Sequence, residues 1–448
     1  MRRLLFSLLF CLIFGVFAVT SRVNSAQINT DPELASYISK IKAIDNHAHP
    51  ARNVQSGEKP DDEYDALPLE GLEDFALPIR MRPENTEFIG AWRTLFGYSH
   101  NDMDKDHVAQ LIESKHAVMQ KRGQDYPAWV LDQLGIETML ANRVAMGRSV
   151  TSPRFLWVPF ADALLLPLNT ESYRKINPDN RVFFTGEDRL LKRYLSDSKI
   201  AALPLTLDGY QTKVVTATLE RQKRSGAVAV KFEAAYLRAL DFDEPSKTEA
   251  QRVYARYQKG GIPSVKEYKI LQDYLFHYIA REAGRLGMAV HIHVLDNFGS
   301  YYRSSNSNVG LLESVFNDPA LRKTNFVILH GGYPLTKTTA AYIGKTNVYV
   351  DFSNQGLTLY PRALSEELRN WLEYFPEKVL FGTDAFPLTP SVGWEESGWL
   401  STKTGREALT IALSGMINDG EITRDRAQEL ARMVLRENAI KLYGLKSQ

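Results

Sequence analysis

Short apolar, β-branched runs alternate with stretches of helical length through the C-terminal half of the chain, and each run ends in polar residues. The runs are 227–232 (AVAVKF), 288–294 (MAVHIHV), 325–330 (NFVILH), 347–352 (NVYVDF) and 378–384 (KVLFGTD). Between them, 265–287, 335–345 and 363–375 place apolar residues three or four apart, the spacing of one helical face. Apolar runs joined by helical crossovers predict a parallel sheet buried on both faces. Upstream the alternation is weaker, with strands predicted at 42–49 (KAIDNHAH), 136–142 (IETMLAN) and 154–160 (RFLWVPF). Eight strands with no GxGxxG turn after any of them predict an α/β fold of the (β/α)8 TIM-barrel type. The segment from about 54 to 135, with a helical pattern at 106–123, reads as a mainly helical insertion after strand one that caps the barrel mouth. Residues 402–443 supply extra C-terminal helices, and no repeat or Pro-rich linker divides 27–448, which reads as one barrel domain.

The 448 residues are 44% hydrophobic and 24% charged, a globular balance that excludes disorder and coiled coil. Arg2 and Arg3 precede an apolar run from Leu4 to Val19, and small residues follow at Ser25 and Ala26, the pattern of a signal peptide over 1–26. The run is shorter than the ~20 residues that span a bilayer. A cleaved, exported chain, periplasmic or secreted and without stable membrane association, is therefore expected. Loss of Arg2, Arg3 and Arg22, with no acid lost, takes the formal net charge from +1 to −2. Such a chain has no electrostatic footprint for nucleic acid. A small-molecule substrate is the expected partner, and the oligomeric state is unassigned. The single cysteine, Cys11, leaves with the same segment, so a metal must be held by His, Asp, Glu or a modified Lys.

Five of the nine histidines, His47, His49, His291, His293 and His330, fall at predicted strand ends. Side chains two apart on a strand share a face, so His47 and His49 would converge on one ion inside a barrel. Asp384 ends VLFGTD, where a buried strand delivers a carboxylate to the rim; a helix N-cap is its other reading. His293 lies nearer the rim than His291 and is the preferred ligand of that pair, with His291 deeper and supporting. His330, before Gly331 and Gly332, could bind a second ion or stay free to polarise a carbonyl. Lys231, inside an apolar strand, is costly unless it is paired, as with Glu233, deprotonated or modified, and a carbamate on it would bridge two divalent ions. Tyr236, Arg238, Asn297 and Tyr333 follow these strands as candidate substrate contacts.

The ordered set NHAH, VKFEAAY, VHIHV, LHGGYP and FGTDA resembles the amidohydrolase superfamily, and most of all its amidohydrolase-related branch of TIM-barrel metal hydrolases. That branch includes the module fused to a glutamine-synthetase-like domain in some fungal and bacterial proteins, and ENAIKLYGL resembles its ending. The resemblance spans most of Asp45 to Leu445 and is specific from strand four onward. It implies that His47, His49 and Asp384 bind the more buried ion while His293 and His330 bind a second one, bridged by Lys231. The related decarboxylase branch implies one ion on His47, His49, His293 and Asp384, with His330 left free for catalysis.

The expected function is a metal-dependent hydrolase, with one or two divalent ions, most simply zinc, cleaving an amide, lactone or ester. A bound divalent ion would bring the pKa of water towards about 7, with Asp384 as acid and base. Nonoxidative decarboxylation of a small acid is the alternative on the same scaffold, and isomerisation of a uronate-like sugar a more distant one. A noncatalytic exported metal- or solute-binding protein and a two-carboxylate glycosidase are the readings from other classes. Retention of Asp384 argues against the first, and the clustered histidines argue against the second.

Overall fold

The computed structural model describes residues 30–54, 57–67, 76–297 and 299–446. The expected export segment, 1–26, lies outside them. No helix among the described residues is long and apolar enough to cross a membrane.

Eight short strands run parallel: β1 (Ala43–Ala48), β2 (Ile136–Asn142), β3 (Phe155–Val158), β4 (Ala229–Phe232), β5 (Ala289–His293), β6 (Phe326–Leu329), β7 (Val348–Asp351) and β8 (Val379–Leu380). They form ladders of three and five, β1-β2-β3 and β4-β5-β6-β7-β8. The seams are joined more sparsely. Single bridges link Trp157 to Ala227 and Phe160 to Lys231, while Asn46 N donates to Phe381 O and His49 N to Ala385 O, both at 2.8 Å. One layer of side chains shows that the interior is shared by the whole ring. Ile44, Leu140, Val158, Ala229, Ala289, Val327 and Leu380 pack together with Tyr349, one from each strand. This apolar layer lies beneath the polar side chains, which gather above it towards the C-terminal end, as the fold requires.

The strand register is broken in β1, which slips against β2 between Ala43 and Ile44 and again between Asp45 and Ala48. A bulge of this kind lets neighbouring residues turn inward together. Asn46 Nδ2 donates to Asp351 Oδ2 at 2.7 Å on β7, and His47 also reaches the interior, 3.4 Å from Lys231 Nζ.

The described part of the insertion carries α1 (Phe88–Phe96), α2 (Lys105–Arg122) and α3 (Tyr126–Leu134). Gly135, left-handed at φ +68°, ends α3 and leads directly into β2. Downstream lie α4 (Val265–Arg285), α5 (Thr336–Ile343), α6 (Pro361–Leu372), α7 (Trp394–Asn418) and α8 (Asn438–Tyr443). The insertion has its own apolar cluster, in which Met81, Phe88, Trp92 and Leu111 pack on Leu357 and Leu400 of the barrel side. Three buried cations pin it. Arg80 donates to both oxygens of Glu87, at 2.8 and 2.9 Å, and to Gly356 O at 3.1 Å. Lys115 Nζ lies 2.6 Å from Glu396 of α7. Arg143, just past β2, holds Asp61 with two bonds of 2.8 and 2.9 Å.

Candidate metal centre

The chemistry gathers in a cleft of about 740 Å³ at the upper end of the barrel. Its floor is built on Asp384, four residues past β8. The Asp384 backbone N donates to His47 O at 2.7 Å, tying the end of β8 to β1. Its carboxylate collects three imidazoles: Oδ1 lies 3.0 Å from His47 Nε2 and 3.6 Å from His49 Nε2, and Oδ2 lies 3.7 Å from His330 Nδ1. Beside them, His330 Nε2 and His293 Nδ1 are 3.0 Å apart. Lys231 Nζ stands between His47 Nε2 at 3.4 Å and Glu233 Oε1 at 3.7 Å.

Two buried carboxylates that touch no cleft space hold this geometry. Asp45 Oδ1 accepts from His47 N and Thr383 N, at 3.2 and 2.9 Å, so it sets β1 against the loop that carries Asp384. Asp351 Oδ1 accepts from His330 N at 2.9 Å and from Ser353 Oγ at 2.7 Å. Because the Ser353 proton is committed to Asp351, Ser353 Oγ must accept from His330 Nδ1–H, 3.0 Å away. The His330 lone pair is thereby placed on Nε2, beside His293. His49 is oriented by the same logic, since Nδ1–H faces the acceptors Tyr64 O and Asp65 Oδ2, each at 3.3 Å, and its Nε2 lone pair turns to Asp384.

These residues fit a divalent ion on the chemistry of the donors themselves. Burial, with the Lys231 ammonium adding to it, holds His47 well below the usual imidazole value, and burial pushes His330 down to about 4. Both rings are neutral at pH 7, as ligation requires. Burial works against ionisation of Asp384, but the surrounding His47 and His330 outweigh it and hold the carboxyl well below its ordinary range. His47, His330 and Asp384 offer ligand atoms within 4.8 Å of one another, and His293 Nε2 is buried without a hydrogen-bond partner.

Residues 198–445 match the protein-family model described as amidohydrolase, more than half of the chain. The chain belongs to the amidohydrolase family. A stretch of 131 residues is 30% identical to protein fluG of Emericella nidulans, covering 28% of this amidohydrolase and 14% of that protein. Among solved structures, the glucuronate isomerase of Caulobacter crescentus superposes with a TM-score of 0.60 at 13% identity, covering 93% of this chain and 94% of its own. The uronate isomerase of Thermotoga maritima gives 0.56 at 14% identity over 93% and 98%. A Lactobacillus casei protein assigned to the metal-dependent hydrolases gives 0.57 at 14% identity over 92% and 97%. At such identities the likeness establishes the fold, a TIM barrel.

Of the residues singled out in the sequence, His47, His49, Lys231, Glu233, Tyr236, His293, Asn297, His330 and Asp384 line the amidohydrolase cleft. Three do not. His291 lies below it, with Nε2 2.7 Å from Tyr443 Oη on α8. Arg238 turns away to Asp273, 2.7 Å off, and Tyr333 sits half-buried beside the cleft. The sequence reading missed Asp65, Asp296, Tyr301 and Asn354 in the lining. A left-handed backbone marks several of these positions: Asp296 (φ +61°), His330 (+60°), Asn354 (+62°) and Asp384 (+52°). Non-glycine residues rarely adopt it, and it concentrates at functional sites. The signal was readable only in part, as polar residues one to four places after a strand.

Gly331, at φ +61°, shows how tightly His330 is set. A Cβ there would collide with Gln355 Nε2 and the Trp371 ring, and Gln355 Nε2 is the group that donates to His330 O at 2.8 Å. Gly331→Ala is expected to lower stability by about 2–4 kcal/mol, through backbone strain and overpacking together. Urea denaturation measures it, and a loss below about 0.5 kcal/mol, the scale of ordinary surface changes, would contradict the strain.

Proposed function

We propose that this amidohydrolase is a metal-dependent hydrolase that opens an amide, lactone or ester bond of an uncharged or amine-bearing small molecule. The convergence of His47, His49 and His330 on the one carboxylate of Asp384, at 3.0 to 3.7 Å, carries the reading. When bound, a divalent ion, zinc by default for such donors, supplies Lewis-acid polarisation of a carbonyl and a lowered pKa for water. His47, His49 and Asp384 would hold it, with the paired rings of His293 and His330 completing the set. Asp384, anionic at neutral pH, takes a proton from the attacking water and returns it to the leaving group.

Two features of charge refine the reading. Lys231 is flanked by Glu233, whose backbone N donates to the buried Asp162 at 2.7 Å. Burial raises the carboxyls of both Glu233 and Asp162, so a carbamate on Lys231 would add an anion where negative charge is already disfavoured, which supports an unmodified Lys231 and a single ion. The walls also carry Asp65, Glu233 and Asp296, while Lys231, engaged by Glu233, is the cation among the described lining residues. A carboxylate substrate would enter a cleft where burial already raises the Glu233 and Asp296 carboxyls, and would meet no free cationic side chain among the described lining residues, which favours hydrolysis over decarboxylation or uronate isomerisation.

The test is a panel of neutral lactones, esters and amides beside small carboxylic acids, assayed in isotopically labelled water. Hydrolysis is expected on the neutral compounds, with one labelled oxygen entering the product, loss of turnover on chelation and recovery with zinc. Carbon dioxide release, or isomerisation without label, would replace the reading. An intact mass showing a carboxylated Lys231 would overturn the single-ion scheme.

A further inference from the structure

Away from the barrel, the connection between α1 and α2 and the first turn of α2 bring His100, Asp102 and His107 together. Each offers one ligand atom, and the three atoms lie within 4.8 Å of one another. His107 Nδ1 is 2.7 Å from Asp102 Oδ1. The His100 ring stacks on that of His107, with centroids 3.5 Å apart and planes inclined by 16°.

The backbone beneath them is held by other groups. Tyr98 Oη donates to Asp102 O at 2.9 Å, and Arg93 Nη2 donates to His100 O at 3.2 Å and to Asn101 Oδ1 at 2.7 Å. Tyr98 in turn packs edge-on against buried Trp92, centroids 5.3 Å apart. His100 and Asp102 thus sit on a backbone already ordered and His107 on the first turn of α2, so binding asks only for side-chain rotation, which takes the His100 ring out of its stack.

We propose that His100, Asp102 and His107 bind one divalent transition-metal ion of the zinc, copper or nickel class, separately from the barrel centre. Two imidazoles and one carboxylate make a three-ligand set, with solvent to supply the fourth donor at this half-exposed surface. Calcium and magnesium, which take all-oxygen shells, do not suit it. On binding, the ion takes the place of the proton between His107 Nδ1 and Asp102 Oδ1, and that proton leaves to water. Asp104 and Asp106, whose charges also act on His107, add to the field that draws a dication. The ion would fasten the first turn of α2 to the loop that follows α1, beside the apolar cluster through which Met81 reaches the cleft. The site stands on its own geometry, whatever reaction the barrel performs.

Equilibrium dialysis of the chelator-stripped full chain against zinc chloride at micromolar free zinc, followed by elemental analysis, tests it. The wild type is expected to hold one equivalent more than the double variant His100→Asn, His107→Asn, while that variant keeps turnover and the metal of the barrel centre. Loaded with copper, the wild type should show imidazole nitrogen couplings in its electron paramagnetic resonance spectrum that the double variant lacks at this site. Should the double variant fold poorly, Asp102→Asn keeps both rings and is expected to weaken zinc binding at this site by about 10-fold or more. Equal zinc content in wild type and double variant, unchanged affinity in Asp102→Asn, or binding only at millimolar zinc would each overturn the proposal.

Discussion

Asp384→Asn is expected to reduce kcat by about 10³-fold or more while the chain stays folded, because it removes both the negative charge and the proton acceptor from the centre of the site. The amide keeps the size of the side chain, and Asn tolerates the left-handed backbone that Asp384 adopts at φ +52°. The bond from Asp384 N to His47 O is a main-chain one and survives the change. What is lost is the anion that stands 3.0 Å from His47 Nε2 and 3.6 Å from His49 Nε2. Elemental analysis should still find one ion on the remaining imidazoles, with weaker affinity. Near-wild-type turnover in the variant would remove Asp384 from the chemistry and leave it a structural cap.

Arg143→Met is expected to lower the unfolding free energy by about 3–5 kcal/mol, the cost of leaving a buried charge unpaired. Arg143 has no solvent-exposed surface, and Asp61 beside it is 5% exposed at its side chain. Besides Asp61, the guanidinium satisfies Pro50 O at 2.6 Å and Ala145 O at 2.9 Å, so the variant also strands two carbonyls. The pair joins the end of β2 to the first part of the insertion, and the loss should loosen the cap before the barrel. Its pH dependence has a definite sign. Burial pushes the Asp61 carboxyl up, but the bonds and charge of Arg143 more than offset this and hold it below its ordinary value. The stabilisation is therefore complete above the unfolded value of about 3.9 and disappears as pH falls through the lower folded value. Urea denaturation at neutral pH should show the full gap between wild type and variant, and the gap should narrow below about pH 4. A difference under about 1 kcal/mol at neutral pH, the range of an exposed pair, would show that the ion pair does not anchor the insertion.

The strands were legible because a parallel strand in a barrel is buried on both faces and must be apolar along its length. AVKF, AVHIH and FVIL all sit within the predicted runs. The ligand-type residues were legible for a related reason. A histidine or aspartate that closes an apolar run stands out, and the fold sends every such end to one rim. Asp296 and Asn354 were not, because a polar residue in the loop after a strand looks the same whether it faces the cleft or water. Asp65, within the insertion, reaches His49 only through the folding of that segment over the mouth.

His291 and His293 show where local pattern stops. A period of two puts both inside the barrel, and the direction of the strand puts His293 nearer the rim than His291, but nothing in HIH says what meets the deeper ring. That came from α8, whose Tyr443 takes His291. In β1 the irregular register, set by pairing with β2, lets Asn46 and His47 both turn inward against simple alternation. The chain alone therefore determined the class of fold, the order of its strands and the kinds of donor at their ends, since burial and spacing act between neighbours along the chain. Only the assembled ring of eight strands decided which of those donors meet around Asp384, because distances between strands far apart in sequence are set by curvature, register and the layers packed beneath.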